Sequence, residues 1–260
     1  MSIITTDKEY YQDKEYITNS MIGDLLNKGE YYYYLKHIKK VKEPFFSRDY
    51  FDFGKAIDAF CDGGLALFQQ IVHIVSKRTG NVPEGHVELT ESAGKQAKGC
   101  IEEIQNQPLI RYYNTGEKQK ILQVEDFMGC KVKTKMDCIN VEEGFISDTK
   151  TAANIENFEP QQYQRQLALY GAVAEMVYGK RFRLLLLVVD KFADFPRSEV
   201  YEMSDETRQR AMEEITSALR IIKDRMEFDT WAIPVSRAEI YKSPLYKEMP
   251  NYKIKEPIIF

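Results

Sequence analysis

The chain has 260 residues and a mass of 30.4 kDa, with 43% hydrophobic and 29% charged residues. That is enough apolar mass to bury a core in one large domain, and it excludes disordered and collagenous compositions. A formal net charge of -4 and a pI ≈ 5.6 exclude a polycation that holds nucleic acid by bulk charge, so any nucleic-acid site must be a local patch.

In ITNSMIGDLLNKGEYYYYLKHIKK, Thr18, Asn19 or Ser20 offers an N-cap, and Met21, Ile22, Leu25 and Leu26 recur at helical spacing. Gly29 divides this segment into two short helices. Tyr31 to Tyr34 stand beside Lys36, His37, Lys39, Lys40 and Lys42; a solvated helix end is the first reading and a DNA-contacting patch the second. FDFGKAIDAFCDGGLALFQQIV predicts a helix with Phe53, Ile57, Phe60 and Cys61 on one side and Lys55, Asp58 and Asp62 on the polar side, weakened at Gly63 and Gly64. Residues 72–88, with Gly80, Pro83 and Gly85, read as a loop, and Thr90 or Ser92 caps the helix that follows.

From Lys118 the hydrophobic period changes from helical to two, with turns near Asp126 to Gly129 and Glu142 to Gly144. This predicts a meander of three antiparallel strands. Tyr163, Leu167, Tyr170, Ala174 and Val177 then mark a crossover helix that ends at Gly179. RFRLLLLVVDKF reads as a strand buried on both faces. Ser204 caps a long helix, and the tail with Pro234, Pro244, Pro250 and Pro257 reads as irregular. The whole is predicted as one α/β domain over 1–260: a helical part to about 115, a core over about 116–205, and a C-terminal helix and tail over 204–260.

Several chemistries lack their residues. Cys61, Cys100, Cys130 and Cys138 show no CxxC, and His37, His73 and His86 form no HExxH, so zinc and disulfide frameworks are not suggested and any metal would sit on carboxylates. P-loop, dinucleotide and GxSxG signatures are absent. No apolar run approaches the roughly 20 residues of a membrane span, and the first residues carry no export signal. A soluble, cytoplasmic chain without a membrane partner is expected.

What remains is a polar constellation. In KVKTKMDCI the alternation of a strand puts Lys131, Lys133, Lys135 and Asp137 on one face, and in FISDTKT it groups Ile146, Asp148 and Lys150. The short turn between these strands brings Asp137, Asp148 and Lys150 together. Paired carboxylates repel unless a cation such as Mg²⁺ sits between them, and an adjacent ammonium can orient or deprotonate a water and offset charge on a phosphate. Gln166 and Tyr170 lie one helical turn apart and point near the same sheet edge, where they could hold a phosphate or position Lys150.

This arrangement resembles the PD-(D/E)xK nuclease superfamily, specifically its RecB-like and RecE-like exonuclease branch. FGKAID (53–58), KMDCI (135–139), ISDTKT (146–151) and QLALY (166–170) match in the family's order, with a weaker likeness at ITNSMIGDLL (17–26). The resemblance implies a restriction-endonuclease-like core, a central mixed sheet flanked by helices, over about residues 15–205. It implies that Asp137 and Asp148 bind Mg²⁺, or alternatively Mn²⁺, with the Thr149 carbonyl as a third ligand, that Lys150 is the catalytic lysine, and that Gln166 and Tyr170 form the family's QxxxY motif. Met136 replaces the proline of the name motif. Asp58 stands where this branch usually has a metal-binding histidine; it reads either as a carboxylate substitute or as a solvated helix aspartate, with Asp62 as another third ligand. No cysteine follows Tyr170, so the iron–sulfur cluster of some relatives lacks ligands and none is expected. Cys138 reads as a small core residue, and Trp231 as either packing or base stacking.

The implied activity is Mg²⁺-dependent hydrolysis of linear, double-stranded DNA by a recombination-type exonuclease of bacterial or phage origin, working with a recombination partner protein, and Lys131, Lys133 and Lys135 are then expected to face the phosphates. Ring-shaped oligomers occur among similar exonucleases, and nothing in the sequence establishes a homo-oligomer here. The rival reading is a catalytically inactive nuclease-fold module that binds DNA or protein, favoured by the missing histidine and the negative net charge.

Overall fold

In the computed structural model, residues 6–41, 49–191 and 195–231 are described. The proline-rich tail lies outside these residues. Helix α1 (Asp7–Gln12) opens on a capping box, with Thr6 and Glu9 each satisfying the other's backbone N–H. Helix α2 (Asn19–Lys28) is capped by Thr18 and ends at Gly29, whose φ of 88° lets α3 (Glu30–Tyr33) start at an angle. A single π-turn, residues 34–38, continues α3. Tyr33, fully buried, stacks on Trp231 with ring centroids 5.2 Å apart, so Trp231 packs against the helices.

Helix α4 (Asp49–Ile71) kinks at Gly64, as the paired glycines predict. The stretch read as a loop over 72–88 contains two strands, β1 (Val72–Val75) and β2 (Val87–Thr90), paired in parallel. The intervening turn is held by Glu88, which accepts from Thr79 N, Thr79 Oγ1 and Gly80 N. Thr90 caps α5 (Glu91–Asn106), and α6 (Pro108–Tyr113) follows with proline at its first position.

The central sheet has the order β3-β4-β5-β6-β7. Strands β3 (Glu117–Phe127), β4 (Cys130–Asn140) and β5 (Phe145–Ala152) form the predicted meander. Helix α7 (Gln164–Tyr178), ending at Gly179 in the left-handed region, crosses to β6 (Arg183–Asp190), parallel to β5. An edge strand not foreseen, β7 (Ser198–Glu202), precedes α8 (Asp205–Phe228), which Ser204 caps. The sheet is therefore mixed, as expected from the resemblance.

Strand β6 explains the layering. Leu184, Leu186 and Val188 join the core beneath α7 and α8, while Leu187 and Val189 join the one beneath α4 and α5. The apolar run was continuous because both faces are covered. Strands β4 and β5 share only three rungs, Asn140–Phe145 to Cys138–Ser147, and then diverge. Ile17 takes the edge of β4 that this fork frees: its N–H donates to Lys131 O and its carbonyl accepts from Lys133 N.

Candidate active site

The fork between β4 and β5 is where the carboxylates meet. Asp148 lies on β5 opposite Leu186 of β6, and Lys150 opposite Val188, so both follow the alternation that faces α7. Asp148 is fully buried. Its Oδ1 accepts from Gln166 Nε2 at 2.9 Å, and the same amide nitrogen donates to the Tyr170 hydroxyl oxygen at 2.8 Å. Its Oδ2 forms an ion pair with the Lys150 ammonium but has no hydrogen bond aligned on it. Asp137 arrives across the open part of the fork, where its Oδ2 accepts from the Thr149 backbone N–H at 3.2 Å.

Helix α4 supplies two further carboxylates. Asp58 is half-buried, and burial, followed by the charge of Asp137, pushes its carboxyl up to about 8 against the opposing pull of Lys150. Asp148 and Asp62 add to the push. This environment is unlike that of a solvated helix aspartate. Asp62 accepts from Gln119 Nε2 at 3.2 Å and is also raised by its burial. Burial and Asp137 together raise Asp148 to about 7, with Lys150 again opposing.

Lys150 behaves in the opposite sense. Burial alone would lower it, but Asp148 and Asp137 outweigh burial and hold it above the ordinary lysine range. In this setting the ammonium is favoured, and it can orient a water or offset phosphate charge. Tyr170, fully enclosed, is kept neutral by burial and by Asp148 and Asp137, with Tyr10 of α1 adding to the effect.

The donor chemistry fits a hard divalent cation. An enclosed carboxylate oxygen without a hydrogen bond, and carboxyls that raise one another's proton affinity, both mark excess negative charge. Among the described residues no three His, Cys, Asp or Glu side chains are grouped as a ready-made metal cage. Mg²⁺ retains waters and commonly takes one or two carboxylates. Asp137 and Asp148 are the residues that could hold it, with Asp58 beside them.

Two expectations need correction. Lys133 does not face an open groove: it is 1% exposed, and its ammonium donates to Tyr10 O at 2.6 Å, Asp13 O at 2.9 Å and Asp13 Oδ1 at 3.0 Å. Lys135 pairs with Asp7 at 2.7 Å and Lys131 with Glu15 and Glu125. Lys133 and Lys135 are covered by the segment containing α1, whereas Lys131 stays 42% exposed; the freed edge of β4 holds Ile17, and with it the preceding residues, against the strand. Second, Gln166 contacts Asp148 and Tyr170, fixing the carboxylate directly and Lys150 only through it.

Tyr163 was legible only as part of an apolar helical stripe. In the structure it precedes α7 in a 3-10 turn, Pro160–Tyr163, with the Lys150 ammonium 5.3 Å from its ring centroid. Its position three residues before Gln166 and seven before Tyr170 was the available signal.

The model of a PDDEXK-like domain of unknown function (DUF3799) matches residues 20–244. No curated protein matches the chain. A solved structure described as a "putative exonuclease" from Eubacterium rectale is similar, with a TM-score of 0.70 and 19% identity, covering 95% of this chain and 97% of that one. At that identity the likeness concerns the fold. A second solved structure, described as SSO0001, is 14% identical over 77% of this chain and 85% of its own, with a TM-score of 0.30, and carries no argument.

Proposed function

The chain belongs to the PDDEXK-like domain family, and from that premise we propose that it is a nuclease hydrolysing DNA phosphodiester bonds with a divalent cation, Mg²⁺ or Mn²⁺. The observation that carries this reading is the enclosed Asp148, bonded to Gln166 and paired with Lys150, beside Asp137. Asp137 and Asp148 would hold the cation, with Asp58 and the Thr149 carbonyl as further donors. The cation would supply a more acidic water and neutralise charge on the phosphate.

The remaining work falls to the chain's own groups. Lys150, kept cationic by its two neighbouring carboxylates, opposes the negative charge that grows on the phosphate oxygens during attack. Gln166 fixes the plane of the Asp148 carboxylate, and the hydroxyl of the neutral Tyr170 accepts from the same amide nitrogen and so anchors it. Exonuclease action on linear double-stranded DNA, in bacterial or phage recombination, is the specific form proposed. Its support is the order of motifs and the fold shared with the Eubacterium rectale protein.

The test is incubation of end-labelled linear and covalently closed circular DNA with Mg²⁺, Mn²⁺ or EDTA. Linear DNA should shorten with either cation and circles should survive, while EDTA and Lys150→Ala should abolish release. Tight binding without nucleotide release under either cation would overturn the enzymatic reading in favour of a binding module. Cleaved circles would overturn the exonuclease form alone.

A further inference from the structure

Resting on the nuclease reading, we propose that Tyr163 is the positioning residue of the Lys150 ammonium. A lysine on a four-carbon stem, paired among the described residues with Asp148, can rotate about that ion pair, and its side chain is 22% exposed. A second contact is needed to aim it. The Tyr163 ring supplies one, since a cation within about 6 Å of an aromatic centroid is attracted to the ring's negative face, and Lys150 Nζ stands 5.3 Å away.

The ring is itself held. Phe158 stacks on Tyr163 with centroids 5.5 Å apart and planes 8° from parallel, and Phe158 in turn meets Tyr201 of β7 at 5.9 Å. Pro160 opens the 3-10 turn that ends at Tyr163, and α7 begins at the next residue. An aromatic relay thus runs from the edge strand to the ammonium. Gln166, three residues on, fixes Asp148, so one chain segment orients both members of the ion pair from two directions.

The experiment compares Tyr163→Phe and Tyr163→Leu in the full chain. On linear DNA with Mg²⁺, Tyr163→Leu should lower kcat about tenfold, the rate equivalent of one lost cation–π contact, with KM unchanged, and Tyr163→Phe should retain wild-type kcat. A readout independent of activity is the NMR shift of the Lys150 side-chain methylene protons next to Nζ. It should be displaced by the ring in wild type and Tyr163→Phe, and return to the ordinary lysine position in Tyr163→Leu.

A rise in KM at constant kcat would make Tyr163 a substrate contact and overturn the proposal, as would a Tyr163→Phe variant as slow as Tyr163→Leu. If wild type releases no nucleotides, the nuclease reading fails and the NMR shift alone decides the position of the ring. If Tyr163→Leu does not fold, the shift in wild type and Tyr163→Phe decides, and an undisplaced resonance in both overturns the proposal.

Discussion

At the scale of single residues, the carboxyl cluster makes opposite demands on stability and on activity. Asp148→Asn removes a charge at nearly constant volume. The metal-free protein should keep or raise its melting temperature near pH 8, while DNA hydrolysis falls at least about 10²-fold, the usual loss when a group that stabilises reaction charge is removed; wild-type turnover by the purified variant would refute the assignment. The folded values of Asp58 and Asp148, about 8 and about 7, lie above the roughly 4 of an unfolded chain. Their stabilising contribution is therefore complete below about pH 4, lost progressively as pH rises from there through 7 and 8, and gone above. Melting curves in EDTA should decline over that interval and be flattened by Asp58→Asn. Added Mg²⁺ should raise the melting temperature more at pH 8.5 than at pH 6, because cation and proton compete for the same oxygens. The acidic partners were readable from the alternation in KMDCI and ISDTKT. The environment of Asp58 was not, because a helix position three residues after Lys55 has no local sign of the sheet fork it faces.

At the scale of elements, the segment before α2 is tied to β4 by a buried ammonium. Lys133→Met would remove the donor that satisfies Tyr10 O, Asp13 O and the Asp13 carboxylate, at a cost of about 3 kcal/mol. Urea unfolding measures that loss, and chymotrypsin should cut at Tyr10 and Tyr11 faster than in wild type. At the start of β3, Gly116 has a φ of 140°, and a Cβ there would collide with the carbonyl oxygen of Ile139. Gly116→Ala should therefore shift the strand pairing and lower the melting temperature, whereas Gly54→Ala, where nothing crowds a Cβ, should be tolerated. These features show why some elements were hidden in the sequence. β1 is four residues long and directly continues the apolar pattern of α4, and its parallel partner β2 carries no turn signature of the hairpin kind. α1 is six residues long with Tyr10 and Tyr11 among four polar ones, and β7 is a short edge strand with partly exposed alternate positions. The meander, by contrast, announced itself through period-two stretches and tight turns, and α8 through Ser204 and its long apolar stripe.

For the whole molecule, β6 belongs to two layers at once, so neither layer can melt without exposing the strand that supports the other. Leu186→Ala and Leu187→Ala point into different layers, yet each should cost about 3 kcal/mol and lower the same calorimetric transition. Two separately shifted transitions would show that the layers unfold independently. No helix among the described residues is long and apolar enough to cross a membrane. The joining of Ile17 to the freed edge of β4 also bears on the order of assembly. Lys133 and Tyr10 are 123 residues apart, so on a ribosome the leading segment is made long before the strand that receives it. Ile17 and Tyr16, both buried in the finished fold, must spend that interval without their partners. Closing a contact of such sequence separation costs loop entropy, and a nascent chain halted before Val132 has no edge for Ile17 to join. The covering of Lys133 and Lys135 therefore cannot begin until about half of the 260 residues have been made.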